Sequence, residues 1–164
     1  MKPITIAALT LLALSTLGCT SLPGAKKKAP QSPPQTMAER KQEAISQFER
    51  QRDAAQVQAA VSYWQRGDLE KSQSMLTTIV QRSPRDVNAR LRLAELLISQ
   101  EELAAAETQL RECINVAPES AEAHHSLGML LADFAGREQE CQQHLRRAAE
   151  LDPRNELYVA AAAQ

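Results

Sequence analysis

Three cysteines and three histidines are the side chains of this 164-residue chain best suited to chemistry. Cys141 and His144 are one helical turn apart, so a helix would put them on one face, where they could share a metal with a further ligand. His124 and His125 are adjacent, point in different directions on a helix and cannot chelate together. Cys113 and Cys141 fall at positions that read as contacts between helices, where a free cysteine serves as a small buried apolar residue. They are not expected to form a disulfide, because they occupy different positions of a repeating pattern, one unit apart. The chain has no Gly-rich phosphate loop, no Gly-x-Ser-x-Gly and no His-Glu-x-x-His. Without a convergent acid, base or nucleophile, the expectation is a protein that is not an enzyme and uses neither cofactor nor metal. That leaves Cys19, which follows an apolar run and precedes a Pro/Lys-rich tail.

The elements that must position these residues are helical. Ala and Leu dominate the apolar residues, and there are only one Trp, two Tyr and two Phe, a mix that favours helices over sheets. The formal net charge of −1 gives no push towards nucleic acid, and no small-molecule substrate is indicated. After residue 52 the chain repeats. Leu93, Ala94, Leu97, Ala106, Leu110 and Pro118 of a middle copy match Ala59, Ala60, Tyr63, Ser72, Leu76 and Pro84 before it. They also match Leu127, Gly128, Leu131, Cys141, Leu145 and Pro153 after it. Pro84 to Pro118 is 34 residues, as are Ala60 to Ala94 and Ala94 to Gly128. The third copy is one residue longer, with the extra residue in the turn around Asp133 to Gly136.

Each half-copy carries apolar residues at i, i+3, i+4 and i+7. Small residues (Ala60, Ser72, Ala94, Ala106, Gly128) recur where two helices must approach closely, with Leu76, Leu110 and Leu145 beside them. Gly67–Asp68 and Gly136 mark a turn inside a copy. "SPRD", "APES" and "DPRN" supply turn and cap chemistry between copies. No copy could bury its apolar face alone, but three stacked copies form a continuous core.

This period and pattern resemble the tetratricopeptide repeat (TPR), with its W-x2-L-G-x2-Y, A-x3-F and P positions. The departures are Gln56, Arg90 and His124 where the pattern prefers Trp, and Leu where it prefers Phe. The resemblance implies an all-α fold: a TPR α-solenoid of three helix-turn-helix repeats (residues 53–86, 87–120 and 121–155), with an N-terminal leading helix and a C-terminal capping helix. The charged leading helix covers residues 37–52, opened by a capping box at Thr36-Met-Ala-Glu39. Ile45 and Phe48 are expected to fold back on the first repeat. Nothing in the sequence says whether this helix runs unbroken into that repeat. Residues 156–164 read as a half-unit whose Leu157, Tyr158 and Ala162 cover the last apolar face.

The front of the chain resembles a bacterial lipoprotein signal peptide. Lys2 is a minimal positive region, and Ile4 to Leu17 is an apolar stretch too short to span a bilayer. Ser15, Thr16 and Gly18 then lead into Cys19. "TLGC" departs from the commonest "LAGC" order. The resemblance implies removal of residues 1–18 and acylation of Cys19, including palmitate-like chains; more than one chain makes a stable membrane anchor. Residues 19–36 are then the lipidated cysteine and a Pro/Lys-rich tether reaching roughly 20–25 Å as a flexible coil. Lys26, Lys27 and Lys28 either lie along anionic head groups or keep the tether solvated. Thr20 after the cysteine fits sorting to the outer membrane, facing the periplasm.

In TPR proteins the first helix of each unit lines a concave groove that takes a partner peptide or helix. Here the resemblance implies Val57, Val61 and Trp64 in the first unit. In the second it implies Asn88, Leu91, Glu95 and Ile98, and in the third Glu122, His125 and Met129. The expected groove is largely apolar with polar edges, and Trp64 is its expected anchor. The alternative for Val57, Val61 and Leu91 is that neighbouring helices cover them. The repeated Lys and Asn pattern that grips a terminal carboxylate in chaperone tails is missing. The expected function is a membrane-anchored adaptor or scaffold in the bacterial envelope, with a role in assembling an envelope, pilus or secretion complex. The alternative is an accessory subunit that positions an envelope enzyme such as a cell-wall hydrolase.

Overall fold

A computed structural model describes residues 36–163. The signal-peptide reading, Cys19 and the tether up to residue 35 lie outside the described residues. Among the described residues there are seven helices and no strand: α1 (Met37–Gln65), α2 (Leu69–Arg82), α3 (Val87–Ser99), α4 (Leu103–Val116), α5 (Ala121–Ala132), α6 (Glu138–Leu151) and α7 (Glu156–Ala162). They form a stack in which α1 packs on α2, α3 on α4, and α5 on α6. Each pair leans on the next, and α7 closes on α6.

Local chemistry sets the ends of these helices. Thr36 Oγ1 accepts from the Glu39 backbone N–H at 3.2 Å, and the Thr36 N–H donates to the Glu39 carboxylate at 2.7 Å, a reciprocal cap that satisfies two end donors. Asp68, Asp86, Ser120 and Asn155 cap α2, α3, α5 and α7 through their side chains. The last three of these residues close the SPRD, APES and DPRN segments. The turn inside each unit needs one residue in the left-handed region. Gly67 and Gly136 supply it at φ 84° each, at no steric cost. In the middle unit that residue is Glu101, at φ 63°, a turn that no glycine announces in the sequence.

The small positions do what the spacing predicts. Ala60, Ala94, Ala106 and Ser72 are fully buried, as are Leu76, Leu110, Leu127 and Leu131. The closest approach is at Gly128, where an added Cβ would lie 2.6 Å from Leu145 Cδ2. Only glycine lets α5 and α6 pack at this separation.

One open question is answered and two expectations change. Residues 37–52 and the first helix of the first unit are a single helix of 29 residues, since nothing in the sequence breaks it. Ile45 and Phe48 do not fold back: they are 41% and 65% exposed, because a continuous helix carries them past the edge of the first unit. At the other end Leu157 is 62% exposed, and Ala161 instead is buried against the stack.

Candidate functional site

The first helices of units one and two face each other across an open groove of about 530 Å³. From α1 it takes Gln58, Val61, Trp64 and Gln65; from α3 it takes Asn88, Arg92 and Glu95. Trp64 and Val61 are half-buried and present the groove's apolar surface. Asn88 also belongs to a second hollow of about 690 Å³, formed where residues 46–54 of α1 pass the α2–α3 turn. The concave side of α1 is therefore lined from Ser46 to Gln65.

Of the residues predicted from the sequence, Val61, Trp64, Asn88 and Glu95 meet in this groove. Val57 and Leu91 do not: both are buried in the core. Ile98 is half-buried and packs on that core. His125 stacks against Tyr158 of α7, with ring centroids 4.7 Å apart. Met129 is half exposed further along the stack. The residues missed are Gln58 and Gln65 of α1 and Arg92 of α3. Val57 and Gln58, like Leu91 and Arg92, are neighbours about 100° apart on a helix. Choosing the apolar member of each pair selected the core-facing residue. Positions 57, 91 and 125 are one register of the repeat, and all three are covered by neighbouring helices. The groove is consequently more polar than predicted.

Its charges are organised by Arg92. The guanidinium donates to Glu95 on its own helix at 2.6 Å and to Glu122 of the next unit at 3.0 Å. Burial works against its charge, but the two carboxylates outweigh it and hold its pKa above the ordinary arginine range. Arg92 thus bridges units two and three on the concave side. At the α1–α2 contact, buried Asp53 accepts from Arg52 at 3.0 Å, from Ser83 at 2.5 Å and from Arg82. Burial pushes its pKa up, but Ser83, Arg52 and Arg82 outweigh it and hold the carboxyl below its usual value.

The histidine and cysteine chemistry is structural. His124 Nε2 lies 3.2 Å from the Pro118 carbonyl, and its Nδ1 lies 2.9 Å from His144 Nδ1. A carbonyl only accepts, so His124 carries its proton on Nε2 and His144 donates from Nδ1. His144 is held by this bond and does not share a ligand site with Cys141. Cys113 and Cys141 are free thiols in the core. Burial raises both, Cys113 to about 11, which keeps them protonated and unreactive. Among the described residues, no group of three or more His, Cys, Asp or Glu is placed to hold a metal. No described helix is long and apolar enough to cross a membrane.

Known proteins share this architecture. The first TPR of Spaghetti (RPAP3), solved bound to an HSP90 peptide, superposes with a TM-score of 0.63 at 15% identity, over 69% of this chain and 91% of that one. YrrB, described as a TPR protein with an unusual peptide-binding site, gives 0.60 at 19% identity over 68% and 57%. An O-GlcNAc transferase mutant of Thermobaculum terrenum gives 0.58 at 26% identity over 68% of this chain but only 22% of its own. No curated protein sequence matches the chain. Tetratricopeptide-repeat family models match residues 63–133 and 121–155. Between them these matches take in more than half of the sequence, and the chain belongs to the tetratricopeptide-repeat proteins.

Proposed function

We propose that this protein is a non-catalytic adaptor that holds a peptide or helix of another protein in the groove between α1 and α3, while acylated Cys19 anchors it to a bacterial envelope membrane. The observation that carries the reading is Trp64. It stands half-buried in an open concave surface, ringed by side-chain amides and one organised Arg–Glu pair. A large ring with low conformational freedom beside adaptable hydrogen-bonding groups is the composition that recognises a peptide. Two of the similar structures are named for peptides they bind or a peptide site, which supports the same use of the fold. The anchor rests on the order of the sequence: apolar run, small residues, cysteine, then a proline-rich tether. A repeat module acts only by bringing its partner to a place, so the anchor determines where that partner works.

Co-purification from detergent extracts tests the groove. Trp64→Ala should weaken capture roughly 30-fold, as loss of an interface hot spot worth about 2 kcal/mol does. Undiminished capture would remove the groove from the function. Trp64 and Ile98 both pack on the core, so Ile98→Asp, which would put a charge there, is set aside, and exposed Asn88→Ala is the companion that leaves the core untouched. Mass spectrometry of the mature amino terminus tests the anchor. A diacylglyceryl-modified Cys19 is expected, and Cys19→Ser should leave the membrane fraction.

A further inference from the structure

One hydrogen bond between α5 and α6 depends on how many protons its two rings carry. His124 gives its Nε2–H to the Pro118 carbonyl at 3.2 Å, and its Nδ1 accepts from His144 Nδ1–H at 2.9 Å. His124 is buried and His144 half-buried. Two nitrogens of the pair can still take a proton. His144 Nε2 lies outside the bond, so a first proton there leaves the Nδ1–H donor in place. The remaining site is then His124 Nδ1, the acceptor itself. A proton on it sets two N–H groups of two cationic rings against each other, and the bond is lost. The surroundings do little for a second charge. Glu140 of α6 approaches His144 Nε2 to 4.0 Å, but it is already held by Arg111 of α4 at 2.5 Å and by Arg137 at 2.7 Å. Glu107 of α4 is bound to the same two arginines. Arg147 of α6, paired with Glu150, works against a charge on His124. Cys113 of α4 and Cys141 of α6 are buried thiols that stay neutral. His125 turns the other way, to Tyr158 of α7.

We infer that the pair is a proton-operated latch on the third unit: it holds α5 to α6 with both rings neutral, tolerates one proton at His144 Nε2, and opens when a second reaches His124 Nδ1. Burial acts in the same direction and pushes both imidazoles below the ordinary histidine range; for His144 the neighbouring His124 ring adds to it, against the pull of Glu140. The sign follows from proton counting. The unfolded chain accepts a proton on each ring below its ordinary value of about 6.5, and the folded pair accepts at most one. The unfolded state therefore binds more protons, and the stability that the latch supplies above about pH 6.5 is lost as pH falls below it.

Urea unfolding of the full chain at about pH 7.5 and about pH 5, beside His144→Gln, tests the latch. Glutamine keeps an N–H donor but has no site for a proton, and other titrating groups such as Asp53 and His125 are common to both proteins. Between the two pH values the folding equilibrium constant of the parent should fall about 30-fold further than that of His144→Gln. That is the full weight of one imidazole with an unfolded value near 6.5 whose proton the fold refuses. An equal fall in both proteins would overturn the latch. Ring-nitrogen NMR of the parent gives a second reading that holds even if the variant does not fold. At neutral pH the proton should sit on Nδ1 of His144 and on Nε2 of His124. As pH falls His144 should titrate first, while His124 keeps its neutral form for as long as the chain is folded. The opposite tautomers, or two rings that titrate independently in the folded chain, would also overturn it.

Discussion

Gly128→Ala is the sharpest test of how closely the helices of the third unit pack. The added methyl would meet Leu145 Cδ2 at 2.6 Å, Cγ at 2.8 Å and the Leu145 backbone N at 3.2 Å, where ordinary contact is 3.4–4 Å. Swinging the end of Leu145 cannot relieve this, because Cγ and the backbone are both too close and Leu145 is only 4% exposed. Helices α5 and α6 must separate, and overpacking of this kind costs about 1–3 kcal/mol. Replacing a mid-helix glycine with alanine returns about 1 kcal/mol of backbone entropy. The net expectation is a loss of up to roughly 2 kcal/mol. The register position one unit earlier should respond in the opposite sense: Ala94→Gly should cost about 1 kcal/mol. Urea unfolding followed by far-UV circular dichroism measures both, with an unchanged slope as the sign that only stability moved. Trp64 fluorescence reports unfolding in the first unit, so coincident transitions would also show that the stack melts as one. A double-mutant cycle with Leu145→Ala should recover the strain as a coupling of about 1 kcal/mol or more. A Gly128→Ala protein more stable than the parent, or zero coupling to Leu145, would refute the close approach.

Three further predictions concern single positions. Ser72 Oγ is fully buried without a hydrogen-bond partner, and its counterpart in the middle unit is Ala106. Ser72→Ala should therefore raise stability by about 1 kcal/mol, read as a shift in the urea midpoint. Glu101→Gly should also stabilise, by up to about 1 kcal/mol, because glycine removes the left-handed strain at φ 63° but loosens the unfolded chain. Glu101→Val should do the reverse. Asp53→Ala should cost about 2–4 kcal/mol, since it strips Arg82 and Ser83 of their buried acceptor. The folded carboxyl lies below its ordinary value. Its contribution is therefore present above the unfolded pKa near 4 and is lost as pH falls through the folded one. The parent protein should lose more stability than Asp53→Asn between neutral pH and about pH 3, by thermal melts across that range.

The fold was legible because its signals are redundant. Small, large and proline positions recur together at a fixed step, and each inter-unit segment ends on a residue with a capping side chain. The groove was less legible, for a physical reason. A solenoid helix touches its own partner helix and the helices of adjacent units, so its apolar arc is wider than that of a helix on a simple core. Val57 and Leu91 sit inside that arc, and nothing in their identity distinguishes a covered face from an open one. Arg92 was passed over because a charge on a helix ordinarily means solvent, whereas here it ties two units together through Glu95 and Glu122. The middle turn carries no glycine to mark it. The end of the leading helix was hidden because the only boundary there is a change in what the helix touches.

That unbroken helix has a mechanical consequence. At about 1.5 Å per residue, the 29 residues of α1 make a rod roughly 43 Å long, whose buried residues, Asp53, Val57 and Ala60, all lie in its C-terminal half. The interior of the rod has no proline or glycine at which it could bend. A force applied near Thr36 is therefore expected to pass along the helix to Trp64, with the Asp53–Arg82 contact on its way. One stiff element therefore carries both the capping box at Thr36 and the ring of Trp64.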